Sequence, residues 1–246
     1  MAGHSKWKNI QHRKGAQDAK RGKVFTKLIK EISVAVKTAG PDQDSNSRLR
    51  LAIQNARGAN MPKDTVERAI KKASGDGGEN YIETTYEGYG PDGIAIFVEC
   101  ATDNNTRTVS NVRSYFNKHG GNLGKDGCLQ FCFERKGIFL IENNGLNEDD
   151  FTMSMIDSGA EDVEFDEEGV TVTSAMEDFG AIQKMLAEIN IEPTEAGLQR
   201  VPLSFKQTDT KAYKAFAKLI EVLEDDDDVQ KVYHNLEYDT AFLEDN

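Results

Sequence analysis

The hydrophobic pattern of this 246-residue chain changes period at residues 74–78, where strand-like alternation first appears, and that change sets what it can fold into. Up to Ser74 apolar residues recur at helical spacing; past Gly78 they alternate, as in strands with one buried face. From Ala16 to Lys37 the positions Phe25, Leu28, Ile29, Ile32 and Val36 line one helical face, while Lys20, Lys23, Lys27 and Lys30 step along another. Gly40 and Pro41 end that helix. A second helix is predicted from about Ser47, with Leu49, Ala52, Ile53 and Ala56 facing inward. A third opens at Pro62, with Val66, Ala69, Ile70 and Ala73. Ser74-Gly75-Asp76-Gly77-Gly78 then reads as a linker and domain boundary.

Beyond the linker, strands are predicted at Tyr81 to Glu87 and Ile94 to Ala101. A helix from Asn105 to Lys118 buries Val109, Val112 and Phe116, and a strand follows from Cys128 to Glu134. The next stretch is a complete unit. A strand at Ile138 to Glu142 leads to a helix at Glu148 to Asp157, capped by Asn147 and carrying acids in its first turn. A hairpin of Asp162 to Phe165 and Val170 to Thr173, a helix bearing Phe179, Ile182, Leu186 and Ile189, and a strand at Leu198 to Phe205 complete it. The order β-α-β-β-α-β is the ferredoxin-like split unit. A helix at Tyr213 to Leu223 and a strand at Val229 to Leu236 supply the α-β pair that the earlier unit lacks. The fold class expected is therefore α+β. A three-helix domain over residues 1–78 precedes two ferredoxin-like α/β domains, the third (136–206) inserted into the second (79–135 plus 207–246).

Charge divides the chain along the same line. Residues 1–75 carry 17 Lys and Arg against 6 Asp and Glu, the remainder 13 against 36, and the first 30 residues hold nine basic residues against Asp18 alone. A basic front on an acidic body points to a polyanion-binding part. The longest apolar runs, Ile94 to Val98 and Ile138 to Ile141, fall far short of the roughly 20 residues a membrane span needs. The basic start is followed by no apolar core of a secretory signal. Cys100, Cys128 and Cys132 form no disulfide framework and suggest a reducing compartment. As strand residues, Cys128 and Cys132 would stand about 13 Å apart, too far for a bridge or a shared zinc, so both are expected as buried hydrophobes.

The chemistry-bearing motifs are few. Gly88-Tyr89-Gly90-Pro91-Asp92-Gly93 spells a dinucleotide fingerprint, but it opens a strand rather than a helix and reads as a turn. Gly120 to Asp126 fails as a phosphate loop, because His119 stands where the first glycine belongs and Asp126 where a Ser or Thr would ligate magnesium. His4, His12, His119 and His234 are scattered without ligand spacing, and no serine lies in a nucleophile elbow. No catalytic residue, metal, cofactor or small-molecule substrate is expected.

The positive case is for nucleic acid. Lys6 and Lys8 flank the chain's only tryptophan, Trp7, which either stacks on a base or anchors the tail on the bundle. His12, Arg13, Lys14, Lys20, Arg21, Lys23 and Lys27 extend the cationic surface, where phosphate contacts position the protein without reading sequence. A second candidate surface is the helix opened by Thr102 to Arg107, whose Arg107 and Arg113 meet phosphate near free backbone N–H groups, or whose start is simply capped by Asp103 or Asn105. Phe131 and Phe133 alternate as on an RNA-recognition sheet but are expected in the core. The acidic run Glu224 to Asp228 stops its helix and keeps polyanions off the body.

Several blocks carry a family likeness. Met1-Ala2-Gly3-His4-Ser5-Lys6-Trp7, His12-Arg13-Lys14, Asp18-Ala19-Lys20-Arg21, Phe25-Thr26-Lys27, Asn60-Met61-Pro62-Lys63-Asp64, Tyr86-Glu87-Gly88-Tyr89-Gly90-Pro91, Thr102-Asp103-Asn104, Arg107-Thr108-Val109 and Gly120-Gly121-Asn122-Leu123-Gly124 resemble the YebC family. The resemblance implies three domains, the third inserted into the second. It implies a DNA-binding transcriptional regulator, as bacterial members are generally described. Alternatively it implies a ribosome-associated translation factor contacting ribosomal RNA, as in the mitochondrial translational activators of cytochrome c oxidase subunit I and in bacterial members linked to stalling on proline-rich sequences. Because the motif begins at Met1, no organelle presequence is expected and a bacterial cytoplasmic location is implied.

Overall fold

The structure, a computed structural model, describes residues 21–75, 80–166 and 169–237. The fold is α+β. Three helices come first: α1 (Arg21–Ala39), α2 (Ser47–Gly58) and α3 (Lys63–Ser74). Asn46 caps α2, its Oδ1 accepting the Leu49 N–H at 2.9 Å and its Nδ2 donating to the Ala35 and Gly40 carbonyls. Val36, Leu49, Ala52, Ile53, Ala56, Val66, Ala69 and Ala73 are buried, the spacing expected of the helical faces.

The first sheet has the order β3-β1-β2-β8 and the second β5-β6-β4-β7. The strands are β1 (Ile82–Tyr89), β2 (Ala95–Thr102), β3 (Asn122–Leu123), β4 (Phe133–Ile141), β5 (Ala160–Phe165), β6 (Val170–Ala175), β7 (Glu195–Pro202) and β8 (Val229–His234). Helix α4 (Asn105–Lys118) follows β2, α5 (Glu148–Asp157) and α6 (Phe179–Glu188) flank the β5-β6 hairpin, and α7 (Thr210–Asp225) precedes β8. The second sheet carries the strand order of the split β-α-β-β-α-β unit. It interrupts the first, because β8 returns to pair antiparallel with β2, as Phe97↔Tyr233 and Val98↔Val232. A parallel bridge between Lys206 and Leu236 fixes that return.

The described residues divide into two compact units: 21–34, 80–134 and 202–237 in one; 35–75, 135–166 and 169–201 in the other. In the first, Ile94 and, on β2, Ile96 and Val98 pack with Val112 and Phe116 of α4 and Phe216, Leu219 and Leu223 of α7. The opposite face buries Phe97 and Tyr233 against Leu129 and Phe133. In the second unit, Phe139, Val172, Ile182, Leu186 and Met155 form the core. Helix α2 belongs to this unit. Asn55 exchanges two hydrogen bonds of 2.9 Å with the backbone of Ala196 on β7, and Gly58 lies so close that a Cβ there would stand 1.9 Å from the Thr194 carbonyl oxygen.

The G-x-G-x-x-G stretch is a turn, as its sequence context implies, with Asp92 and Gly93 in the left-handed region at φ of 56° and 75°. Three expectations are corrected. No strand runs from Cys128 to Glu134; residues 126–132 are turns, and β4 begins at Phe133. The buried Glu87 carboxylate accepts the Gly127 N–H at 3.0 Å and also that of Leu129, which holds the segment off the sheet. Cys128 is therefore exposed and Cys132 half-buried, and Phe131 is 82% exposed while Leu129 and Phe133 are buried. Helix α4 is capped by Asn104, whose Oδ1 accepts the Arg107 N–H at 3.0 Å, and not by Asp103 or Asn105.

Candidate nucleic-acid interface

Lys23, Lys27 and Lys30 occupy successive turns of α1, so their ammonium groups form one row. That row meets the end of α7. Lys23 Nζ donates to the Asp225 carbonyl at 2.8 Å and pairs with its carboxylate at 2.9 Å; Lys27 Nζ donates to the Glu224 carbonyl at 3.0 Å. Lys30 is buried and fully engaged, with the Asp227 carbonyl at 2.7 Å, Asp228 Oδ1 at 3.0 Å, the Ala101 carbonyl at 3.2 Å and the Tyr81 ring centroid at 4.9 Å. The last carbonyls of a helix carry partial negative charge, so cations at this end are favourable while the acidic side chains alone are not. Burial lowers the Lys27 ammonium from its ordinary value, and Glu224 opposes that shift. The acidic run thus does more than end its helix: two of its carboxylates, Asp225 and Asp228, pair with lysines of α1.

Asp228 joins the row to α4. Its Oδ2 accepts from Arg107 Nη2 at 2.7 Å, Arg107 Nε at 3.1 Å and Thr108 Oγ1 at 2.9 Å. Burial alone would raise this carboxyl, but the hydrogen bonds from Arg107, Lys30 and Thr108 outweigh it and hold the group below 3.8. Arg107, hydrogen-bonded to Asp228 and then to Asp103, is shifted up and stays charged. Asp226 Oδ2 accepts from Tyr115 at 2.9 Å and Asn111 at 3.2 Å; burial first and this bond second push the Tyr115 hydroxyl up to about 12.

Of the residues expected to touch phosphate, Lys6, Trp7, Lys8, His12, Arg13, Lys14 and Lys20 lie outside the described residues. Arg21 opens α1, and its side chain is likewise outside them. Lys23, Lys27 and Arg107 are brought together around residues 224–228. Arg113 stands apart, exposed on α4, where it lines an open groove of about 510 Å³ with Thr85, Glu87, Leu123 and Gly124. Lys30 in the lysine stripe, Asp226 and Asp228 in the acidic run and Thr108 beside Arg107 are legible in the sequence only as parts of separate segments, not as one site. A row of three lysines and a run of five acids are complementary in sign, but nothing local pairs segments almost 200 residues apart. Among the described residues no group of three or more His, Cys, Asp or Glu could hold a metal ion, and no helix is long and apolar enough to cross a membrane.

These features define the class: an α+β protein with two four-stranded sheets, in which the first of the described helices binds the acidic C-terminal end of the last. Comparison with known proteins gives the family. The model of the TACO1/YebC protein N-terminal domain matches residues 5–76, and that of the TACO1/YebC second and third domain matches residues 81–236. A probable transcriptional regulatory protein of Hathewaya histolytica is 49% identical over 99% of this chain and 100% of its own. One from Amoebophilus asiaticus is 51% identical over 98% and 100%, and one from Syntrophotalea carbinolica 52% over 96% of each. A solved structure, a conserved hypothetical protein from Aquifex aeolicus, superposes with a TM-score of 0.81 at 42% identity, covering 89% of this chain and 91% of that one. The chain belongs to the TACO1/YebC family.

Proposed function

We propose that this protein is a cytoplasmic, non-enzymatic regulator of transcription that binds DNA through its basic front. The observation that carries the reading is the charge partition, 17 basic against 6 acidic residues through position 75 in a chain of net charge −12. The names of the relatives from Hathewaya, Amoebophilus and Syntrophotalea support transcription over translation. Lys6, Lys8, Arg13, Lys14, Lys20 and Arg21 are the phosphate contacts; Trp7 is the stacking residue, His12 extends the patch, and Arg113 is a secondary contact. Lys23, Lys27 and Arg107 belong to the same cationic surface but already hold carboxylates and carbonyl oxygens.

If six phosphates are engaged, log K for duplex DNA is expected to fall against log salt with a slope of about −5. Fluorescence anisotropy between 50 and 200 mM salt, roughly the range over which such contacts are lost, measures it. Reversing the charges of Lys6, Lys8, Arg13 and Lys14 is expected to flatten the slope to about −2. Affinity untouched by that reversal would overturn the reading.

A further inference from the structure

We infer that the acidic end of α7 is a built-in competitor for nucleic acid. In the free protein the Asp225 carboxylate and carbonyl hold Lys23 and the Glu224 carbonyl holds Lys27, within the field of the Glu224, Asp225 and Asp227 charges, and a phosphate backbone gains those two lysines only by displacing these oxygens. The inference rests on the nucleic-acid reading above and adds to it a regulated part of the interface.

Three observations carry it. The contacts replace like with like: carboxylate and helix-end carbonyl oxygens stand at 2.8 to 3.0 Å from the two ammonium groups, where phosphate oxygens would sit. The outer pair is accessible, since the Lys23 and Asp225 side chains are 36% and 41% exposed. An ion pair that open to solvent is weak and salt-screened, so exchange for a phosphate is close to balanced. The inner pair is not: Lys30 and Asp228 are 8% and 5% exposed, and Lys30 reaches three oxygens at once. Helix α1 therefore stays docked through Lys30 while Lys23 and Lys27 change partners. The exchange at Lys23 returns the Asp225 carboxylate to water.

The test is a charge cycle on the full chain, read by anisotropy with a fluorescein-labelled mixed-sequence DNA duplex. The triple variant Glu224→Gln, Asp225→Asn, Asp227→Asn leaves Asp226, Asp228 and Lys30 in place. Removing these three carboxylate charges, which leaves only helix-end carbonyls against Lys23 and Lys27, is expected to steepen the salt slope from about −5 to about −7 and to tighten binding about tenfold at low salt. Lys23→Gln with Lys27→Gln is expected to weaken the parent by less than the triple variant gains, and to cancel that gain. A single Asp225→Asn, which touches only the exposed pair, is expected to give a slope of about −6 and serves if the triple variant misfolds by circular dichroism. An unchanged slope in both variants overturns the competitor. So does a gain that survives loss of the two lysines, because that marks a general field effect. Parent and triple variant binding alike overturns the competitor alone, whereas binding by neither overturns the nucleic-acid reading with it.

Discussion

Asp228→Ala is expected to lower the unfolding free energy by about 3 kcal/mol or more, the largest effect of any single substitution at the α1–α7 contact. The carboxylate accepts four hydrogen bonds, from Lys30, Thr108 and twice from Arg107. Its loss is felt unequally by these partners. Arg107, 46% exposed, turns to Asp103 and water, so that part costs little. Lys30 is 8% exposed and is left charged among carbonyl dipoles, and Thr108 loses one acceptor in a buried site. Urea unfolding followed by far-UV circular dichroism measures the loss; a change below about 1 kcal/mol would show that the network is dispensable. The sign of the pH dependence follows from the depressed carboxyl. Its stabilisation is complete above 3.8, the unfolded value, and is lost as pH falls through the lower folded value. Asp228→Asn is therefore expected to flatten the acid limb of the stability profile below pH 3.8 while leaving its shape near neutrality.

Gly58→Ala is expected to destabilise by about 2 kcal/mol, against the direction that helix propensity alone gives. In an exposed helix the exchange gains about 1 kcal/mol. At Gly58 the new Cβ would lie 1.9 Å from the Thr194 carbonyl oxygen and 2.8 Å from its carbon, both backbone atoms that cannot swing aside. Relieving the clash moves α2 from β7 and stretches both bonds between Asn55 and Ala196, a further loss of about 1 kcal/mol each. Gly22→Ala on α1, with nothing within 4 Å of its Cβ, is the matched control and is expected to raise stability. Thermal unfolding of the two variants separates the cases by sign.

What was legible in the sequence was local. Asn147 does cap α5, with Glu148, Asp149 and Asp150 in its first turn, and the hairpin around Asp166 forms because strand alternation and a turn signal stand side by side. The alternation from Cys128 to Glu134 misled, because it records burial and not conformation. Leu129 and Phe133 are buried from a turn and a strand start, and what bends the chain is Glu87, 40 residues earlier. The candidate site failed to declare itself for the same reason. The lysine row on α1 was visible as a helical stripe, and the acids at 224–228 were visible as a helix stop. Their pairing depends on β8 returning to β2, which no local pattern encodes.

The two hydrogen bonds that Asn55 makes to Ala196 reach beyond anchoring a helix. Strand β7 is the outermost of its sheet, and such a border offers free amide groups to any other extended chain, the starting point of fibre growth. A single carboxamide imitating a neighbouring strand fills that place from within the molecule. The backbone groups of Ala196 are thus closed to another chain by one side chain of a helix rather than by a strand.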